Sequence, residues 1–119
     1  MNELNYASLE ASKRLVNAGI VLLDAEHWWW KKHDGSDWYV DLFPTVDRIV
    51  RDDRTPAPLL SEVWRELPYK LGKNYLSLWR RQDGHTVAEY ENMELAVFRN
   101  TNPTDALIDL LIWQKGRTP

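Results

Sequence analysis

The sequence predicts an α+β fold: an antiparallel sheet built from two β-hairpins plus a short strand, with three helices packed mainly on one face. Three observations carry this. Two aromatic-rich, strand-like runs are each interrupted by Asp-Gly, at Asp34-Gly35 and Asp83-Gly84, the dipeptide of tight hairpin turns. Three other stretches place apolar residues at helical spacing next to capping residues. No glycine-rich strand-to-helix turn is present of the kind that holds a phosphate in a parallel βαβ unit. With 119 residues and no internal repeat, low-complexity tract or long linker, one domain spanning 1–119 is expected.

The first helix is expected from about Ser8 to Ala18. Ser8 is the N-cap, Ala7, Ala11, Leu15 and Ala18 recur at helical spacing, and Gly19 suits the C′ position. Glu10, Lys13, Arg14 and Asn17 form its polar side. A hairpin follows: His27–Lys32 and Trp38–Phe43 are the strands, and a two-residue turn or a four-residue loop gives the same faces. Trp29, Trp38, Val40 and Leu42 share one side, expected to be core. Trp28, Trp30, Lys32, Tyr39, Asp41 and Phe43 share the other, where aromatics mix with charge. Pro44 ends the strand, and the segment from Asp47 to Arg54 reads as a solvated, mixed-charge patch.

Thr55-Pro56-Ala57-Pro58 is a rigid lead-in to a second helix. Leu59, Leu60, Val63, Trp64 and Leu67 give it one apolar side, and Pro68 stops it. The second hairpin pairs Tyr75–Arg81 with Thr86–Tyr90 through Asp83-Gly84. Read that way, Tyr75, Trp79, Ala88 and Tyr90 fall on one face, and Leu76, Leu78 and Val87 on the other. Leu95–Arg99 is a short further strand. The last helix opens with Asn102 as N-cap and Pro103 at the first helical position. Ala106 to Trp113 leave only a narrow polar stripe at Asp105 and Asp109, so this helix is central to the packing or forms a subunit interface. Gly116 closes it.

Composition narrows the function classes. No cysteine is present, which removes disulfides, thiolate nucleophiles and sulfur-built metal sites. The longest apolar run, Ala18–Leu23, is too short for a bilayer, and Met1-Asn2-Glu3-Leu4-Asn5 does not read as a secretory signal. No membrane association is expected, and the cytoplasm is the default location. The formal net charge is −3 and no segment carries a strong basic surplus, which argues against nucleic acid as a partner. His27 and His33 lie about 20 Å apart at strand rise, so they cannot chelate one ion unless the turn bends the chain back. No metal-ligand spacing or nucleophile elbow occurs, and neither a metal nor another cofactor is expected.

The seven tryptophans point instead to binding. Trp64, Trp113, Trp29 and Trp38 are assigned to the core. Trp28, Trp30 and Tyr39 are the candidate exposed aromatic surface. Trp79, Arg80 and Arg81 form a second candidate corner with Tyr90, suited to stacking and to an anion. Asp34, Asp37, Asp41 or His33 near the first hairpin define the rival reading of a small-ligand enzyme, although acidic residues close in sequence read first as turn and strand-surface chemistry.

Three segments, Glu10–Ile20, Pro58–Pro68 and Asn102–Trp113, together resemble small accessory proteins of bacteriophages, prophages and mobile elements. In that group a Ser-Lys-Arg-Leu helix, an aromatic hairpin, a Leu-Pro-terminated helix and an Asn-Pro-x-Asp-Ala helix recur in this order. The resemblance implies a fold and a setting, the bacterial cytoplasm, and supplies no functional residue. It implies a binding or host-modulating protein acting on a protein or a small molecule. A self-associating component, dimerising through the last helix, is the structural alternative.

Overall fold

The computed structural model describes residues 5–42 and 49–117. Its elements are α1 (Leu9–Asn17), β1 (His27–Lys31), β2 (Trp38–Leu42), β3 (Arg54–Pro56), α2 (Leu60–Glu66), β4 (Lys70–Leu71), β5 (Asn74–Arg80), β6 (Thr86–Tyr90), β7 (Val97–Asn100) and α3 (Pro103–Gly116). The class is α+β with antiparallel pairing throughout. The strands form two sheets rather than one, ordered β2-β1-β3 and β4-β5-β6-β7. Phe43, Pro44, Asp47 and Arg48 lie outside the described residues.

Local chemistry sets the helix ends. The Ser8 side chain accepts from the Ala11 amide, and Gly19 follows the α1 C-cap with φ of +82°, a conformation open to glycine without a Cβ clash. Asn102 caps α3 by accepting from the amides of Thr104 and Asp105, with Pro103 in the first turn. In α2, which has no side-chain N-cap, Glu62 accepts from the Leu59 amide at 2.7 Å and from the Glu26 amide at 3.2 Å.

The first hairpin has the register read from the sequence, with Trp29 opposite Val40 and Trp30 opposite Tyr39. The Lys32 amide donates to Asp37 and the Gly35 amide to Lys32, closing a four-residue loop. The segment expected to be a lead-in instead supplies β3, paired to the free edge of β1 with Trp28 opposite Pro56. Proline is tolerated there for a geometric reason. The neighbouring bonds run from Lys31 to the Asp53 carbonyl and from Ala57 to the His27 carbonyl. That alternation turns the Pro56 nitrogen away from β1, so no ladder bond is lost.

The second hairpin differs from its sequence reading by one residue. The Arg81 amide bonds the His85 carbonyl, so the loop is Gln82-Asp83-Gly84, with Gly84 at φ of +91°. A three-residue loop of this kind shifts the returning strand by one place and exchanges its faces. Leu78, Ala88 and Phe98 therefore stand abreast, and Leu76 pairs with Tyr90. Val87 joins Trp79 on the other side.

The core lies between this four-stranded sheet and the helices, built from Leu15, Val63, Leu67, Ala88, Tyr90 and the inner side of α3. Leu107, Ile108, Leu110 and Leu111 of α3 are all fully buried. Each such side chain contributes on the order of 1.5–3 kcal/mol, so α3 is the main apolar anchor. It packs on α1, α2, β6 and β7, which makes it the central packing helix. Trp64, assigned to the core from its helical position, is 39% exposed. In a two-turn helix Val63 and Leu67 fill the inner side, and Trp64 is left on the rim. Among the described residues, no helix is long and apolar enough to cross a membrane.

Candidate functional site

The sequence-predicted site residues separate into three places. Trp28 is a correction: it is 0% exposed and belongs to no surface. Its indole Nε1 donates to the Ala25 carbonyl at 3.2 Å, and Ala25 is itself fully buried. The chain before β1 thus folds under that face of the hairpin. The faces are those read from the sequence, but Trp28 is enclosed while Tyr39 and Asp41 on the same face stay exposed. Trp29 and Trp38, assigned to the core, are only half-buried on the α1 side. Trp29 donates to the Ala7 carbonyl at 3.0 Å and meets Tyr6 edge-on at 5.8 Å, while Lys13 lies over Trp38.

Trp30 and Tyr39 form the second place, a cross-strand pair near the hairpin tip. They line a cleft of about 550 Å³ with Lys31, Lys32, His33 and Asp53. The Arg54 guanidinium sits 5.9 Å from the Trp30 ring centroid, so one side of the indole is already taken. The tip carboxylates perform turn chemistry. Asp34 accepts from the Ser36 amide at 2.9 Å and hydroxyl at 2.6 Å, and that hydroxyl bond, with the amide, holds its carboxyl below the ordinary value. Asp37 accepts from the Trp38 amide, whereas Asp41 lies away from the tip, opposite Trp28, and accepts from the Leu42 amide. A carboxyl whose pKa is held below the ordinary value is the opposite of what a general acid requires at neutral pH. No group of three potential metal ligands occurs among the described residues.

The third place is the outer face of the four-stranded sheet. The helices occupy its inner face, against Leu76, Leu78 and Phe98. On the outer face Trp79, Val87 and Arg99 stand side by side across β5, β6 and β7, and Ser77, Glu89 and Val97 form the next row. The Trp79 indole donates to Glu89 Oε2 at 2.7 Å. Val87, directly opposite Trp79 in the register, is 1% exposed despite facing outward. Tyr75 lies one row further, with the Lys70 ammonium 5.3 Å from its ring centroid and the Tyr69 ring 6.5 Å away.

Arg81 lies at the opposite end of this face, beyond Trp79 at the loop, its Nε 3.4 Å from Asp83 Oδ2. A bond to His85 and the charge of Arg81 contribute to keeping Asp83 ionised below the usual range, the backbone bond being the largest cause. Arg80 alternates to the opposite side of β5, where it is exposed at the sheet end. Tyr90 does not complete a stacking corner, because it is fully buried and its hydroxyl donates to the Pro68 carbonyl at 2.6 Å. Burial pushes its phenol up to about 12.

Tyr75, Val97 and Arg99 were not assigned to a site by the sequence reading. A three-residue reading of Gln82-Asp83-Gly84 would have aligned Trp79 with Val87 and exposed this strip as one surface. Compared with protein-family models, curated proteins and solved structures, the chain gives no significant match.

Proposed function

We propose that this chain is a binding module that engages a partner protein through the outer face of the β4–β7 sheet. One observation carries the proposal: Tyr75, Trp79 and Val97 are 50, 48 and 44% exposed on a sheet face that none of the described helices covers. Trp79 is held in place by Glu89 before any partner arrives, so little side-chain freedom is lost on docking. Aromatic side chains beside arginine, here Arg99 and Arg81, are the composition enriched at protein interfaces and at their energetic centres. The resemblance to phage and prophage accessory proteins supports a setting in the bacterial cytoplasm, where such a module would act by occupying a host protein's surface.

The test compares wild type with a Tyr75→Ala/Trp79→Ala variant. A host protein captured by wild type, lost by the folded variant and re-bound as a purified pair supports the reading. Amide exchange should then slow in β5 to β7. A partner retained at equal affinity by the variant overturns it. If the only species lost is a dimer of this chain, seen by sedimentation at several concentrations, the surface is a self-association face instead.

A further inference from the structure

A second concave site lies on the other sheet, between α1 and the face of β2-β1-β3 that carries Trp38 and Thr55. Its volume is about 370 Å³, within the range of small-molecule sites. The sequence explains how it is walled. Lys13, Val16 and Asn17 are three and four apart on α1 and share one helix face. Trp38 enters from β2, and the tight turn before β3 brings Arg51 and Asp52.

Two independent features mark this hollow as more than a surface groove. Thr55, 5% exposed, lines it, and its Oγ1 is buried without a hydrogen-bond partner among the described residues. An unpaired buried hydroxyl is costly and uncommon, and a ligand polar atom would satisfy it. The second feature is charge. Lys13 Nζ lies 4.8 Å from the centroid of the Trp38 ring, which keeps an ammonium and an aromatic surface together at the rim. Arg51 and Asp52 line the same hollow.

We infer that this cleft binds a small organic carboxylate, its carboxylate toward Lys13 with the Thr55 hydroxyl donating to it, and its apolar body against Trp38 and Val16. The site is separate from the outer face of the β4–β7 sheet, so it stands or falls independently of the partner-protein reading. An organic carboxylate fits better than a bare oxyanion because half of the wall is apolar and would gain nothing from phosphate.

The probes are benzoate, 4-hydroxyphenylacetate and hexanoate, with inorganic phosphate as the contrasting anion. Binding is read by the indole N–H resonance of Trp38, assigned by its loss in Trp38→Phe, and by the backbone amides of Lys13 and Thr55. At least one carboxylate should shift these signals saturably, and phosphate should not. Thr55→Val keeps the side-chain shape, and Lys13→Gln changes an exposed helical position, so both should fold as judged by circular dichroism. Each should weaken the carboxylate by about fivefold, the loss expected for one hydrogen bond or one partly exposed charge contact. No saturable shift with any of the three carboxylates overturns the inference. So does phosphate binding as tightly as the best carboxylate, or unchanged affinity in both variants.

Discussion

Trp28 and Trp79 show how one residue type serves two purposes in a small chain. Trp28 is fully enclosed, with its one polar atom paired to Ala25. Trp79 is about half exposed, with its indole paired to Glu89 across the sheet. Removing a large buried side chain forfeits transfer energy and leaves a cavity, so Trp28→Ala should cost about 3–5 kcal/mol. Trp79→Ala removes a surface pair and a partly covered ring, and should cost no more than about 1 kcal/mol. Urea denaturation of the two variants checks this directly. Equal losses would mean that Trp79 supports the fold rather than a partner, and would weaken the proposed docking face.

At the scale of elements, caps govern more than their own helix. Asn102 accepts from two amides of α3, and its side-chain Nδ2 also donates to the Tyr6 carbonyl at 3.1 Å. Asn102→Ala should therefore destabilise by about 1–2 kcal/mol, the upper range for a lost N-cap. Asn102→Asp keeps the capping oxygen but loses the donor to Tyr6. It should recover most of that loss in thermal unfolding, which separates the cap from the tether. These caps were legible because Ser8, Asn102-Pro103 and Gly19 act within one turn of their own position. The first hairpin's register was equally legible, since either loop length preserved the same alternation.

What sequence did not disclose depended on distant choices. Gln82-Asp83-Gly84 accommodates a loop one residue longer than Asp-Gly suggests, and that single residue moved Val87 outward and Tyr90 into the core. β3 was hidden because Pro56 argues against a strand unless its nitrogen happens to face away from the partner. Trp28 and Trp29 alternate identically in sequence. The fold-back at Ala25, and not any local propensity, decides which of them is enclosed. The candidate surface was legible only in part for the same reasons. Trp79 was identified, whereas its companions Tyr75 and Arg99 became visible only once register and sheet order were known.

The described fold measures 47 × 36 × 21 Å. Its short axis is about the thickness of one helix layer on one sheet layer, which is why the β4–β7 sheet has an open face. The segment before α1 fastens these layers. Ala7 receives the Trp29 indole from one sheet, and its amide donates to the Pro58 carbonyl ahead of α2. Thr104 Oγ1 donates to the Asn5 carbonyl, and Arg14 pairs with Asp109 of α3 at 2.9 Å.

Asp105 closes this seam by accepting from the Ser8 amide at 2.9 Å. It lies in the first turn of α3, where a helix N-terminus favours negative charge. Burial nevertheless wins over the Ser8 bonds and Arg14, and the Asp105 carboxyl is raised above its ordinary 3.8. The sign of the resulting pH dependence follows. The folded state holds this proton more tightly than the unfolded chain, so the charged carboxylate weakens folding at neutral pH. That penalty is complete above the folded-state value and disappears as pH falls towards 3.8.

Asp105→Asn keeps an oxygen for Ser8 while removing the charge. It should therefore match or exceed wild-type stability at pH 7, by less than about 1 kcal/mol given the opposing helix dipole. Its advantage should shrink steadily as the solution is acidified. Asp105→Ala removes the acceptor as well, leaves the Ser8 amide unpaired, and should cost about 1–3 kcal/mol at every pH. Urea midpoints of the three proteins between pH 4 and 7 test the argument. A loss of stability in Asp105→Asn at pH 7 that closes on acidification would show that the seam depends on the charge rather than on the hydrogen bond.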